Sequence, residues 1–200
     1  MLPATGTGID MEIKGWVLIA SVIAVAAYMV AIYNSLVQLK NNVAKAWANI
    51  DVLLKQRHDE LPKLVETCKQ YMGYEQPALE RVIAARANVS QAMAHGSPEV
   101  LGKAEEGLRS GLGQLYAVAE NYPELKADQS FRFLQTRISG LENAIADRRE
   151  FYNDSVNALN VRREQFPDRL LASAFDIRGA ELLHFSSEET RDVDLKALFG

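Results

Sequence analysis

The sequence is poor in residues that interrupt helices or cross-link chains. Among 200 residues there are six prolines, twelve glycines and a single cysteine, Cys68, so an internal disulfide is excluded. Long uninterrupted segments rich in Ala, Leu, Glu, Lys, Arg and Gln remain, a composition typical of helices. The formal net charge is only −4 and forms no basic stripe, so the chain offers no footprint for nucleic acid.

One segment lacks charge altogether. No charged residue occurs between Lys14 and Lys40, and Ser21 is the only clearly polar side chain within residues 16–33. A helix of that length is roughly 27 Å long, close to the hydrocarbon thickness of a bilayer. We therefore predict an N-terminal tail (residues 1–14) and a single transmembrane helix (residues 15–33). Trp16 and Tyr33 near its ends are predicted to lie at the membrane interface.

Two other interpretations of this segment are weaker. A cleaved secretory signal would carry several positive charges before the apolar core, whereas Asp10, Glu12 and Lys14 precede it here. A soluble protein of this size could hardly cover an all-apolar helix on every side. The flanking charges, Lys14 before the segment and Lys40 and Lys45 after it, are too evenly balanced to set a topology.

The residues after the predicted span repeat with the period of a helix. Spacings of four and three alternate through Val43, Trp47, Ile50, Leu54, Arg57, Leu61, Leu64, Cys68 and Tyr71. Pro62 lies off this face, and the register is the same on both sides of it. We predict one helix from the membrane to about Met72, kinked near Pro62, with a true break as the alternative.

A second long helix is predicted near the other end of the chain. Apolar residues recur at intervals of seven: Phe131, Ile138, Ile145, Tyr152, Leu159 and Phe166. Between the two long helices, Pro77 starts a helix that ends at His95-Gly96, and Ser97-Pro98 starts another that stops before Pro123. The prediction is an all-α chain in which the transmembrane helix continues into a long antiparallel four-helix bundle, residues 34–166.

The unequal lengths of these helices predict self-association. The hairpin helices are too short to cover the membrane-proximal halves of the long pair, so a second subunit or another partner is expected there. The predicted homo-oligomer interface comprises Trp47, Ile50, Leu54, Tyr152, Val156 and Leu159.

The remaining residues, 167–200, combine an apolar segment with an acidic tail. The helix count returns Phe166 to the level of Tyr33, so the apolar segment is expected near the headgroups. Its predicted membrane-interface residues are Leu170, Leu171, Phe175, Leu182 and Leu183. The alternative, that the segment folds back onto the long helices, has equal weight. Residues 186–194 suggest a mobile tail, and Leu195, Leu198 and Phe199 a short docking motif.

Two arginines interrupt the apolar faces. Arg57 and Arg148 fall at similar heights on the two long helices and are predicted to share one polar layer, neutralised by carboxylates such as Glu105, Glu106 or Glu142. The alternative is that both extend to water at the edge of the bundle.

No pattern indicates catalysis. His58, His95 and His184 belong to different elements and fit no metal-ligand spacing, and Cys68 lies on an apolar face without an adjacent base. The spacing of Gly102 and Gly107 matches a phosphate-binding loop, but the required Lys and Ser/Thr do not follow. We predict no catalytic residue, no metal site and no cofactor.

Separated sequence motifs in a fixed order resemble the LemA family along nearly the whole chain. They include residues 33–34 (YN), 41–43 (NNV), 46–52 (AWANIDV), 57–59 (RHD), 61–62 (LP), 84–87 (AARA), 117–126 (AVAENYPELK), 148–149 (RR), 152–153 (YN) and 166–167 (FP). The resemblance implies a membrane anchor, a helical bundle and no established catalytic activity. Some family members have a lipid-anchored cysteine near the N-terminus, which this chain lacks.

Two functions are compatible with this resemblance. It implies relatives needed to form magnetosome membranes, and genes that often neighbour heat-shock-type membrane proteases. The first hypothesis is a self-associating, non-catalytic scaffold that organises or remodels the bilayer. The second is an adaptor or regulator of a membrane protease. Both place the chain in the bacterial cytoplasmic membrane as a single-pass protein, with the side of the bundle left open.

Overall fold

The computed structural model describes residues 6–95 and 97–184, with side chains from Glu12 onward. In this part the chain forms six α-helices and no strand: α1 (Gly6–Tyr71), α2 (Gln76–His95), α3 (Pro98–Ala119), α4 (Pro123–Ala127), α5 (Gln129–Glu164) and α6 (Asp168–Ala174). The all-α prediction is confirmed. The predicted helix stop at Gly96, the acidic tail and the docking motif of Leu195, Leu198 and Phe199 lie outside the described residues.

The first helix passes through its proline without a break. α1 contains 66 residues and includes Pro62. Because proline has no N–H, the carbonyl oxygen of His58, four residues earlier, loses its usual helical donor. The Nε of Arg86 in α2 donates a hydrogen bond of 3.1 Å to that oxygen. A side chain from the neighbouring helix thus satisfies the carbonyl that proline leaves free, and the helix is continuous as predicted, without the break that was the alternative.

The start of α3 follows its sequence signals. Ser97 is the N-cap, and its Oγ accepts a hydrogen bond from the backbone N–H of Val100 at 3.4 Å. Pro98 occupies the first helical position, where a missing N–H costs nothing. The helix ends at Ala119, and Pro123 starts the short helix α4 after it.

Contacts divide the described chain into two compact units. The anchor unit consists of the described residues up to Asn42 together with Ala158–Ala180. The bundle unit consists of Val43–Asn157 together with the described residues from Glu181 onward. The two units share the continuous helices α1 and α5.

In the bundle unit, α1 and α5 run antiparallel. Three contacts show this: Trp47 with Tyr152 (ring centroids 5.3 Å apart), Glu60 with Arg137 (4.0 Å) and the Tyr71 hydroxyl with Asp128 (3.3 Å). The positions descend along α5 as they ascend along α1. Both helices contact the hairpin, α1 through Arg86 of α2 and α5 through Tyr116 of α3, whose ring is 6.5 Å from Phe131. The unit buries apolar side chains from all of them, including Leu61, Leu64, Val82, Val89, Leu108, Leu115, Ile138 and Ile145.

The anchor unit joins the start of α1 to the end of α5 and to α6. Ile32 and Leu36 of α1 are buried, as are Leu171 and Ala172 of α6. The ring of Tyr33 lies 4.7 Å from the ring of Phe175. These contacts hold the end of α6 beside the point where the long apolar segment of α1 ends.

The chain reverses after α6 in a Schellman turn. The N–H of Ile177 donates to the carbonyl of Ala172 at 2.9 Å, and the N–H of Asp176 donates to the carbonyl of Ser173 at 3.4 Å. Asp176 has a φ of 48°, the left-handed conformation that this turn requires and that aspartate tolerates better than most residues. Ile177 is then buried and closes the turn with an apolar contact surface.

The buried face of α5 yields a first prediction. Ile138 is fully buried, and Asp at this position would force a carboxylate into the bundle core. We expect Ile138→Asp to lower the free energy of unfolding by about 4 kcal/mol. Thermal melting of the full chain in detergent, followed by circular dichroism, measures the loss. The same substitution at Ile83, which is 44% exposed, is the control and should change the melting temperature little. Equal melting of both variants would mean that Ile138 does not belong to the core.

Candidate functional site

The most buried polar feature of the bundle unit is an ion pair between α1 and α3. The Nη2 of Arg57 lies 2.5 Å from both carboxylate oxygens of Glu105. Arg57 is 3% exposed and Glu105 is 4% exposed, so neither charge has access to bulk water. Such a pair does little for net stability, but the removal of one partner leaves an uncompensated buried charge.

Two more polar groups surround this pair. Glu142 of α5 is partly buried, and its Oε1 is enclosed without a hydrogen-bond partner, as is the hydroxyl of Tyr116 in α3. Burial raises the pKa of Glu142, and the positive charges of Arg57 and Arg109 only partly offset this effect. Burial and the nearby Glu142 likewise raise the pKa of Tyr116. The layer therefore joins α1, α3 and α5 through Arg57, Glu105 and Glu142.

Arg148 is not part of this layer. The structure leaves its side chain exposed, so the predicted pairing of Arg57 and Arg148 in one layer was wrong. Arg148 follows the buried Ile145 by three residues and precedes the buried Tyr152 by four, so it shares their face of α5, but its side chain is exposed, as in the alternative in which it extends to water. The negative partner of Arg57 is Glu105, which the sequence suggested together with Glu106 and Glu142. Of the two arginines, only Arg57 is buried.

The predicted oligomer interface is mostly buried within a single chain. Ile50, Leu54, Tyr152 and Val156 are buried in the bundle unit and Leu159 in the anchor unit, whereas Trp47 is partly exposed with its ring against Tyr152. These side chains therefore do not form an uncovered flank, so the premise from which the interface was predicted does not hold. Leu54 lies beside Val89 and Leu108 of the hairpin, and the chain after α6 covers Tyr152, neither of which helix lengths alone could show.

In the bundle unit, side chains of α5 hold the chain after α6 in place through hydrogen bonds to its backbone. The amide of Asn153 donates to the carbonyl of Leu183 at 3.1 Å and accepts from its N–H at 2.9 Å. The Tyr152 hydroxyl donates to the carbonyl of Glu181 at 2.9 Å. Leu183 is fully buried. The extended backbone at residues 181–183 has no neighbouring strand in the described part of the chain. The Asn153 amide therefore forms the hydrogen bonds that a neighbouring strand would otherwise form.

In the anchor unit, a second asparagine of α5 binds the backbone in the same way. The amide of Asn160 donates to the carbonyl of Ala180 at 2.9 Å and accepts from its N–H at 3.1 Å. Gly179, the residue before, passes so close that a Cβ there would collide with the Arg163 guanidinium and the Asn160 amide oxygen. Sequence reasoning missed both asparagines. Asn153 and Asn160 are seven residues apart and therefore lie on one face of α5. This spacing was the signal in the sequence that could have indicated them.

The predicted membrane-interface residues separate into two groups. Leu170 and Phe175 are 59% and 57% exposed, and Trp16 and Tyr33 are also exposed. Leu171 and Leu183 are buried and Leu182 is partly buried, so these three side chains do not extend outward. The segment folds back onto the long helices in part, the alternative that the sequence left open, while Leu170 and Phe175 of the anchor unit still face outward.

α1 contains one segment that is long and apolar enough to cross a membrane. Its most apolar window has a mean hydropathy of 2.3, and 6% of it is buried. Large side chains from Ile13 to Val30, including Trp16, Leu18, Ile23 and Tyr28, are exposed. An exposed apolar surface of this size fits a membrane protein.

The candidate reactive groups lie apart from one another. Cys68 is buried, and burial raises the pKa of its thiol to about 12. Burial and Arg86 lower the pKa of His58. Among residues 6–95 and 97–184, no group of three or more His, Cys, Asp or Glu side chains could hold a metal ion.

The Asn153 contact yields a second prediction. Asn153→Ala would leave the N–H and the carbonyl of Leu183 without partners, which costs about 1 to 3 kcal/mol. We expect faster amide exchange at residues 181–184 and a lower melting temperature. Asn157→Ala, at an exposed position of the same helix, is the matched control because the helix-propensity change is identical. Unchanged exchange in the Asn153 variant would contradict the proposed role.

Glu142 yields a third prediction, on pH. A carboxyl whose pKa is raised by folding stabilises the fold below its ordinary pKa, 4.5 here, and this contribution is lost as pH rises through the raised value. We therefore expect Glu142→Gln to be more stable than the unsubstituted chain at neutral pH, with the difference shrinking as the pH falls through the raised pKa of Glu142 toward 4.5. Melting temperatures across pH test this. Glu150→Gln, exposed on α5, is the control. A Glu142→Gln variant that is less stable at neutral pH would refute it.

Comparison with known proteins agrees with this architecture. The family model "LemA family" matches residues 46–196. Protein LemA of Metamycoplasma hominis is 25% identical over 166 residues, which cover 82% of this chain and 74% of the relative.

Two magnetosome proteins are also similar. Magnetosome protein MamQ 2 of Paramagnetospirillum magneticum is 24% identical, over 82% of this chain and 68% of the relative. Magnetosome protein MamQ of Magnetospirillum gryphiswaldense is 23% identical, over 82% of this chain and 70% of the relative. The family match covers most of the described bundle unit and extends beyond it. This chain belongs to the LemA family.

Proposed function

We propose that the protein is a non-catalytic, single-pass membrane scaffold of the bacterial cytoplasmic membrane. The observation that carries the proposal is α1, one uninterrupted helix whose first part is apolar and exposed and whose later part lies in the core of the bundle unit. A single helix that belongs to both units suits a protein that is anchored in a bilayer and acts beside it.

The scaffold acts as a homo-oligomer or array in this proposal. Two of the similar proteins are magnetosome proteins by name, which supports a role in organising a membrane. Because the apolar faces of α1 and α5 are closed within one chain, self-association uses outward-facing side chains. Phe133 and Phe151 are candidates, since both are exposed on α5 and eighteen positions, or five full turns, separate them on one face.

The alternative is an adaptor that tethers or regulates a membrane protease. The same outward-facing surface would then contact the protease in place of a second copy. We rank it second because magnetosome proteins are among the similar proteins, and this favours the scaffold.

Extraction and mass analysis test the proposal together. Alkaline carbonate should leave the full-length chain in the membrane pellet, because α1 is inserted in the bilayer. Mass analysis of the protein purified in mild detergent should then show a homo-oligomer that Phe133→Ser with Phe151→Ser shifts toward monomer. Val161→Ser, also exposed on α5, is the matched control.

Each contrary outcome has a distinct meaning. Release of the chain by carbonate would contradict membrane insertion. A complex with a protease at fixed stoichiometry would favour the adaptor. A monomer at all concentrations would refute the scaffold.

A further inference from the structure

The anchor unit contains a cleft of about 630 Å³ at the end of α6. Three arginines line it, Arg163, Arg169 and Arg178, together with the carboxylates Glu164 and Asp176. Its volume lies in the range of small-molecule binding sites, which is about 300 to 1,000 Å³. Its five charged side chains and small apolar lining distinguish it from a gap in a hydrophobic core.

The charges in this cleft are not equivalent. Arg178 is tied to Asp176, with its Nη2 3.0 Å from a carboxylate oxygen, and this contact lowers the pKa of Asp176. Arg163 lies against Gly179, which has no side chain to displace the guanidinium. Arg163 and Arg169 thus supply the positive charge that Asp176 does not neutralise, and Glu164 is the remaining carboxylate.

The position of the cleft indicates its ligand. Asp176 follows directly after Phe175, whose ring contacts Tyr33 at the end of the apolar segment of α1. A side chain at that point lies at the level of lipid headgroups when the segment spans a bilayer. Leu170 and Phe175 beside the cleft are exposed and apolar, as expected for side chains that enter the interface.

We propose that this cleft binds the headgroup phosphate of an anionic phospholipid. Arginine guanidinium groups bind phosphate oxygens through paired, charge-assisted hydrogen bonds, and Arg163 and Arg169 are the two that provide them. The lipid is held with its acyl chains beside Leu170 and Phe175. The proposal rests on the proposed membrane insertion of α1, which carbonate extraction tests separately.

Asp176 sets the strength of this site. Its carboxylate pairs with Arg178 at the rim of the cleft and repels a phosphate. Asn at this position keeps the left-handed conformation of the turn but removes the negative charge. The site therefore predicts opposite effects for two kinds of substitution, loss of an arginine and loss of the aspartate.

Native mass spectrometry of the full chain in mild detergent tests the proposal. The probes are phosphatidylglycerol and phosphatidylcholine with the same acyl chains. We expect phosphatidylglycerol to be retained preferentially. Arg163→Gln with Arg169→Gln should lower its retention about tenfold or more, as expected for the loss of charge-assisted bonds. Asp176→Asn should raise retention. Arg148→Gln, an exposed arginine of α5 in the bundle unit, is the control and should leave it unchanged.

Three results would overturn the proposal. The first is equal retention of the two lipids by the unsubstituted chain. The second is preserved phosphatidylglycerol preference in the double variant, even if its melting temperature falls, because the two arginines would then contribute only to folding. The third is calorimetric binding of inorganic phosphate without a lipid preference, which would assign the cleft to a soluble anion.

Discussion

The burial of long apolar helix faces is the constraint on which the described structure depends. α5 has 36 residues, whereas the hairpin helices α2 and α3 have 20 and 22. The part of α5 beyond the hairpin needs another cover, and the chain after α6 supplies it. An extended backbone laid on a helix cannot form a ladder, so its N–H and carbonyl groups need other partners. Asn153 and Asn160 provide them, each with one amide for both groups of a single residue.

Polar contacts also fix how the hairpin sits on α1 in the bundle unit. Arg57 needs Glu105 of α3, and the carbonyl of His58, left free by Pro62, needs Arg86 of α2. Adjacent residues of α1 thus bind both hairpin helices. A shift of the hairpin by one turn would leave a buried charge and a carbonyl unpaired, while apolar side chains could pack almost equally well in either register. The polar pairs therefore select the register more than they add to stability.

Helix periodicity predicted which side chains are buried but not what covers them. Ile50, Leu54, Tyr152 and Val156 lie on the apolar faces predicted for α1 and α5, and all four are buried within one chain. The cover of Tyr152 was missed because an extended segment has no periodic signal, and the cover of Leu54 because helix lengths do not show how far the hairpin reaches along α1. The two arginines likewise show that helix periodicity does not reveal what a side chain contacts. Both interrupt an apolar pattern, yet Arg57 faces a carboxylate from α3 and Arg148 faces outward. The choice depends on a partner from a distant part of the chain, which a single helix cannot reveal. Ser97 and Pro98, by contrast, act on backbone within three residues of themselves, and the start of α3 was predicted correctly.

The turn after α6 links the packing of the anchor unit to its surface chemistry. The reversal requires a left-handed residue, and glycine would adopt that conformation with less strain than Asp176 does. Aspartate at this position adds a carboxylate that neutralises Arg178 and leaves the charge of the cleft on Arg163 and Arg169. The approach of Arg163 in turn depends on Gly179, where any side chain would occupy the space of the guanidinium. One short segment therefore closes the apolar core through Ile177, reverses the chain and sets the charge presented beside the end of the long apolar segment of α1, so a substitution in it is expected to affect this charge and folding together.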